Sequence, residues 1–271
     1  NIKDSKLCDS EIITISIVGE LLTIDSEKAF FSLLSSEYSK LFPKLGDRTR
    51  FNRTKRNLHL VISKIRGYIS EFMQLYSNNI RVIDSMPIPV CEFGRAHFSK
   101  CFKGEASYGI CASKKETYFG FKFHALTTVD GFLTDYVITP ANIDDRNAVW
   151  DLCDKYRSIS IIGDKGYINK RLTPELKSER DIDLLFLKRA NSRDNYPKEV
   201  RQLLFKVRRR IETSFSQLTE QLNLNKVKSK SMLGFITRTS IKVLAHNISF
   251  LINKLMRNDD SMAKIKRLVF G

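Results

Sequence analysis

Three of the thirty acidic residues stand where carboxylates can do chemistry. Asp84 follows Ile80-Arg81-Val82-Ile83, and Asp164 follows Ile159-Ser160-Ile161-Ile162-Gly163, so each closes a run that reads as a β-strand. In an open α/β sheet, ligands gather beyond the carboxyl ends of parallel strands, and two neighbouring strands would aim both aspartates into one crevice. Glu212 sits on a long helical pattern whose apolar stripe is Val200, Leu203, Leu204, Val207, Ile211, Phe215, Leu218 and Leu222. Arg208, one turn before Glu212, shares its flank at the border between core and solvent. Taken singly, strand-end aspartates are turn formers and a helical glutamate is a solvated face residue. Taken together they form a repelling cluster that divalent cations would neutralise. Magnesium or manganese suits such oxygen ligands. Two ions about 3.5–4 Å apart would stabilise the attacking and leaving oxygens of an in-line phosphodiester displacement.

Composition points to the substrate of such a displacement. The 271 residues carry 46 Lys and Arg against 30 Asp and Glu, a net charge of +16, so the expected large partner is a polyanion, with DNA ahead of an acidic membrane. Apolar residues make up 42% of the chain, ordinary for a globular protein and too many for a disordered one. The longest apolar stretch, Ile12 to Gly19, falls far short of the roughly 20 residues of a membrane helix. No secretory leader opens the chain, whose first residue is Asn, so the reading allows for a truncated start. Five cysteines without a C-x-x-C pair suit a reducing compartment, and the expected location is the cytoplasm, on the nucleoid.

The elements that must position the three acids follow from periodicity. Residues 1–77 read as a helical region, with Asp25-Ser26 as a helix start. Within it, Lys44 to Arg66 hold eight basic residues and one acid, Asp47. Arg50, Arg53, Lys55 and Arg56 lead this segment, which is expected to grip DNA through phosphates because one acid leaves the bases almost no internal partner. Residues 78–257 read as one catalytic block. Pro87 and Pro89 are expected to end its first strand, since proline does not continue a central strand. A loop-rich stretch, Cys91 to Thr117, comes next. Strands at Tyr118–Val129 and Phe132–Thr139 are joined by Asp130-Gly131, a strong hairpin signal. A short helix from Asp144, a buried parallel strand at Ile159–Ile162, a polar helix (Asn169–Arg180), a strand (Ile182–Leu187) and the long helix (Pro197 to about Leu222) complete the order β-β-β-α-β-α-β-α. That order implies a mixed five-stranded sheet flanked by helices, the ribonuclease H-like fold. A further apolar helix spans 231–256, and 258–271 is a basic tail.

The motifs Ile83-Asp84-Ser85-Met86-Pro87, Gly163-Asp164-Lys165-Gly166-Tyr167 and Arg208-Arg209-Arg210-Ile211-Glu212 are specific as a set. With Glu20-Leu21-Leu22 and Phe51-Asn52-Arg53 near the start, the chain resembles insertion-sequence transposases with a DDE site, most closely the family numbered nine-eight-two. The resemblance implies that Asp84, Asp164 and Glu212 are the catalytic, metal-binding triad of a DNA transposase working on element ends and target DNA as a homodimer. The wider superfamily sets a Tyr, an Arg and a Lys around the Glu. Here Arg208 matches, Phe205 stands at the Tyr position and Thr219 at the Lys position, with Lys226 as a substitute. The rivals are a non-catalytic DNA-binding remnant and a nuclease of the same fold.

Seven more positions carry side chains that could act at such a site or hold a metal. Lys122 and His124 alternate with Phe121 and Phe123 along a strand; they read either as a phosphate contact or support beside Asp84, or as an ordinary polar face of the sheet. Lys165, next to Asp164, is expected to reach a phosphate. Cys91, His97, Cys101 and Cys111 lack the close ligand pairs of a structural zinc site, and the cysteines read more simply as small apolar residues.

Overall fold

A computed structural model of the chain describes residues 6–74, 78–111, 115–167, 169, 171–186, 196–256 and 263–265; of Lys165 only the backbone is described. The chain divides into two compact units, Ser70–Ser216 and, for the other, Asn1–Ile69 together with Gln217–Gly271.

The unit Ser70–Ser216 is an α/β layer structure around a mixed sheet of six strands: β1 (Ile80–Pro89), β2 (Ser107–Cys111), β3 (Glu116–Thr127), β4 (Leu133–Pro140), β5 (Ile159–Gly163) and β6 (Ile182–Phe186). β3 pairs antiparallel with β1 on one side; β2 and β4 share its other side, against its first and second halves. β1, β5 and β6 are parallel neighbours. Helices cover both faces, as the ribonuclease H-like reading requires. The sheet has one strand more than expected. The extra one, β2, lies in the stretch read as loop; it extends the column of β4, so the sheet stays five strands wide.

β1 also corrects the sequence reading, because it runs through Pro87 and Pro89. Parallel pairing to β5 covers only Ile80 to Val82, and beyond that point β1 is hydrogen-bonded on the β3 side alone. The Val90 amide donates to Phe119 on β3, at 3.0 Å, so by alternation the ring nitrogens of Pro87 and Pro89 face the open side, where no ladder bond is lost. The hairpin at Asp130-Gly131 forms as read: Gly131 has φ +96°, and an added Cβ there would meet Ser214 Oγ at 2.7 Å.

Two buried clusters hold the helices on the sheet. On one face Ile83, Leu126, Ile159, Ile161, Ile182 and Leu184 pack with residues of α5 (Ala148–Leu152) and α6 (Leu172–Arg180). On the other, Ile162 packs with Leu204, Leu185, Tyr196 and Val207, which seats α7 (Lys198–Ser216) over β1 and β5. Ring contacts of Phe123 with Phe215 (6.2 Å) and with Tyr136 (5.1 Å) extend this face, and Ser214 Oγ donates to the Gly131 carbonyl at 2.6 Å. The long helix read to Leu222 is α-helical only to Ser216 and continues as a π turn, Gln217–Gln221.

The other unit contains α1 (Asp9–Leu21), α2 (Glu27–Glu37), α3 (Arg48–Asn57), most of α4 (His59–Phe72) and α8 (Met232–Leu255). Ser26 and Asp47 cap α2 and α3 by accepting from Ala29 N and Arg50 N. α8 is buried nearly all round over residues 235–250 and packs on α1 and α3. It therefore groups with the opening helices, although the sequence reading counts it in the block 78–257. Of the tail 258–271, only 263–265 lie within the described residues. No described helix is long and apolar enough to cross a membrane.

Candidate active site

Alternation along the strands decides where each acid points. On β1, Ile83 faces the cluster under α5 and α6, so Val82 and Asp84 face α7. On β5, Ile161 and Ile162 divide the same way, which turns Asp164, just past the strand, toward α7 as well. Gly163 lets the two strands approach there: a Cβ on it would lie 2.9 Å from Ile83 Cγ2.

The three acids come together around one guanidinium. Arg208 Nη2 lies 3.7 Å from Asp84 Oδ2, 3.7 Å from Asp164 Oδ2 and 3.4 Å from Glu212 Oε1. Side-chain exposure rises from Asp84 (19%) through Asp164 (38%) to Glu212 (52%), so the cluster opens from the sheet toward solvent. Burial raises the Asp84 carboxyl to about 6. The charges of Asp164 and Glu212 push the same way, while the Ser85 amide, donating to Asp84 Oδ1 at 2.8 Å, and Arg208 oppose them. Arg208 Nε is buried without a hydrogen-bond partner.

These donors fit a hard divalent cation: three carboxylates from two strand ends and a helix, with no thiol or imidazole among them. As placed, with the guanidinium between them, they do not form a cage. Among the described residues no group of three or more His, Cys, Asp and Glu side chains is arranged to hold a metal ion.

Behind Asp84, on the opposite face of the sheet, Lys122 and His124 gather around an acid that the sequence reading missed, Asp145. Asp145 accepts from Lys122 Nζ (2.8 Å) and Ser85 Oγ (3.0 Å), and its Oδ1 is 4.0 Å from His124 Nδ1. Lys122 also donates to the Ile143 carbonyl at 2.7 Å. Asp145 follows Asp144, which caps the turn by accepting from Arg146 N, and in sequence such a pair reads only as a helix start. His124 is fully buried with Nε2 on Thr139 Oγ1 (2.9 Å), and burial lowers its pKa to about 4. Neutral and enclosed, it has no surface to offer a phosphate. The neighbouring Tyr167 hydroxyl is pushed well above its ordinary range, first by burial and then by the charges of Asp145 and Asp84.

The basic segment divides once its neighbours are seen. Arg53 is exposed, while Arg50 and Arg56 are half-buried. Lys55 pairs with Glu27 at 2.5 Å and is 13% exposed. The sequence reading allowed these bases almost no internal partner, but Glu27 on α2 is one for Lys55, and Asn52 also donates to it at 2.6 Å. Arg66 is buried. Phe205 and Lys226 are exposed, Thr219 is half-buried, and the side chain of Lys165 lies outside the described residues.

Comparison with curated proteins and with solved structures gives no match. Residues 75–232, more than half the chain, match the family described as "Transposase DDE domain". That span holds all three clustered carboxylates and Arg208, and by it the chain belongs to the transposase DDE domain family.

Proposed function

We propose that the chain is a DNA transposase that cuts at the ends of an insertion sequence and joins the freed 3′ hydroxyl to target DNA. The observation that carries this reading is the meeting of Asp84, Asp164 and Glu212 around Arg208 within the family-matched span. Asp84, Asp164 and Glu212 would hold magnesium or manganese, two ions in all. When bound, the metal supplies charge neutralisation at the attacking and leaving oxygens. The chain's own part is to hold the carboxylates on one face of β1, β5 and α7, and to offer Arg208 to a phosphate. Asp145 acts from behind: it accepts from Ser85 and so fixes the residue that follows Asp84, while Lys122 donates to Asp145 and His124 packs beside it. Exposed bases of α3, Arg53 foremost, grip the terminal repeats. A two-ended substrate calls for a homodimer, and the resemblance to family nine-eight-two gives the narrower assignment. The site of action is the bacterial nucleoid, in the cytoplasm.

The test supplies precut element ends, target DNA and magnesium to the purified chain. Joined products are expected. Cleavage without joining would assign a nuclease, and binding alone a non-catalytic remnant. Asp84→Asn, Asp164→Asn and Glu212→Gln should each lower joining by about 10³-fold or more with DNA binding retained.

A further inference from the structure

The guanidinium of Arg208 stands where a cation bound by the three carboxylates would stand, and its own bonding is unfinished. Its contacts to the acids are ion-pair distances of 3.4–3.7 Å, longer than charge-assisted hydrogen bonds, which close to about 2.7–2.9 Å. Its Nε is buried and unbonded. A structural arginine among carboxylates normally locks in two parallel hydrogen bonds. This one is held by charge alone, at the mouth of a cluster whose outermost acid is half exposed.

From this we infer that Arg208 is a built-in counter-ion, which neutralises the carboxylate cluster in the free protein and competes there with divalent metal. The inference rests on the metal-centre reading above and deepens it. Among the described residues three acids face this one guanidinium, so the cluster still attracts a divalent ion, but that ion must displace the guanidinium. A displaced guanidinium becomes a free donor at the edge of the site, where a DNA phosphate is its natural anion. Metal and DNA then help each other onto the protein, because each relieves a cost of binding the other. The free enzyme is accordingly a weak metal binder, which keeps it from acting without DNA.

The test measures Mn²⁺ binding to the full chain, without DNA, by electron paramagnetic resonance of the free ion. Arg208→Gln is expected to bind Mn²⁺ about tenfold more tightly than the wild type, because one positive charge a few ångströms from the ion is gone. Arg208→Lys, which keeps the charge, should stay within about twofold of wild type. Asp84→Asn should bind far more weakly than either. If Arg208→Gln binds no more tightly than wild type while Asp84→Asn loses binding, the counter-ion inference falls and the metal centre stands. If Asp84→Asn binds Mn²⁺ as the wild type does, both fall together. Should Arg208→Gln not fold, the wild type carries the test: the arginine Nε–H resonance that disappears in Arg208→Lys must shift on titration with Mg²⁺. A resonance that does not move overturns the inference.

Discussion

Each unit of the molecule contains a cluster of opposite charges, and the two are built on inverse plans. In the unit of opening helices and α8, a single carboxylate, Glu20, serves two cations. Arg238 Nε lies 3.3 Å from Glu20 Oε1, and Lys242 Nζ bonds both Glu20 Oε2 and the Leu222 carbonyl. Arg238 also donates to the Asp25 carbonyl at 2.8 Å. Arg238 and Lys242 are buried, at 8% and 1% exposure, and Glu20 is largely covered, at 11%. In the sheet unit one guanidinium, Arg208, faces three carboxylates at longer range among the described residues, and the acids grade outward into solvent. Charge that is saturated, enclosed and extended by backbone acceptors fixes a fold. Charge left in surplus, loosely held and open on one side is kept for a ligand.

Removing the acid should separate the two most sharply. Glu20→Gln leaves Arg238 and Lys242 buried without their carboxylate and should destabilise its unit by about 3–5 kcal/mol. Glu212→Gln removes a half-exposed acid and should change stability by no more than about 0.5 kcal/mol. Urea unfolding followed by circular dichroism checks both. Equal losses would mean that the sheet cluster is structural as well.

Asp84 should respond in the opposite sense. Its carboxyl is raised to about 6, chiefly by burial, so holding it ionised at neutral pH costs the native state about 2–3 kcal/mol. Asp84→Asn should therefore raise stability at pH 7 by an amount of that order while abolishing joining. A destabilised Asp84→Asn protein would show that Asp84 is retained for structure.

How much of this was legible in the sequence depends on what each feature requires. The hairpin at Asp130-Gly131 and the parallel run Ile159–Ile162 are local patterns and appear where the sequence reading puts them, whereas the stripe of α7 holds only in part: Leu204, Ile211 and Phe215 are buried, Val200 and Leu203 are exposed, and Leu218 and Leu222 lie past its end. The meeting of the three acids was legible because strand ends and strand alternation constrain where side chains point. The part of Asp145 was not, although Lys122 and His124 stood out, since Asp145 and Ser85 are sixty positions apart and meet only once β3 and the turn after β4 are placed. The pairing of Lys55 with Glu27 escaped for the same reason: counting acids within 44–66 overlooks an acid on another helix. The prolines of β1 misled because the rule against central-strand proline assumes a neighbour on both sides, and β5 stops short of them.

Acid titration sharpens the contrast. Burial holds His246 and His124 near 4, below the ordinary 6.5, so each contributes stability that is full above 6.5 and is lost as pH falls toward 4. Asp84 works the other way, since its raised carboxyl regains stability as pH falls from about 6 toward 3.8. In the sheet unit His124 and Asp84 therefore offset each other, whereas His246, in the helical unit, is not offset by Asp84. Thermal melts from pH 7 to 4.5 should show a steeper acid loss in Asp84→Asn than in wild type, and a shallower one in His246→Gln. Parallel curves for wild type and Asp84→Asn would remove Asp84 from the balance.

The smallest effects should come from the basic helix, where the same distinction between saturated and spare charge applies at the surface. Arg53 is exposed on α3, and replacing it with Ala removes one phosphate contact: the slope of log K against log salt should fall by about 1, with the melting temperature unchanged. Lys55 is held by Glu27 at 2.5 Å, with its ammonium 5.7 Å from the centre of the Phe51 ring. Its replacement by Ala should cost about 0.5–1 kcal/mol of stability and leave the salt slope nearly intact. Filter binding over a salt series, run beside thermal melts, measures both quantities for each variant. If Lys55→Ala lowers the salt slope as much as Arg53→Ala, the pairing with Glu27 yields to DNA, and α3 carries more spare charge than its contacts in the free protein indicate.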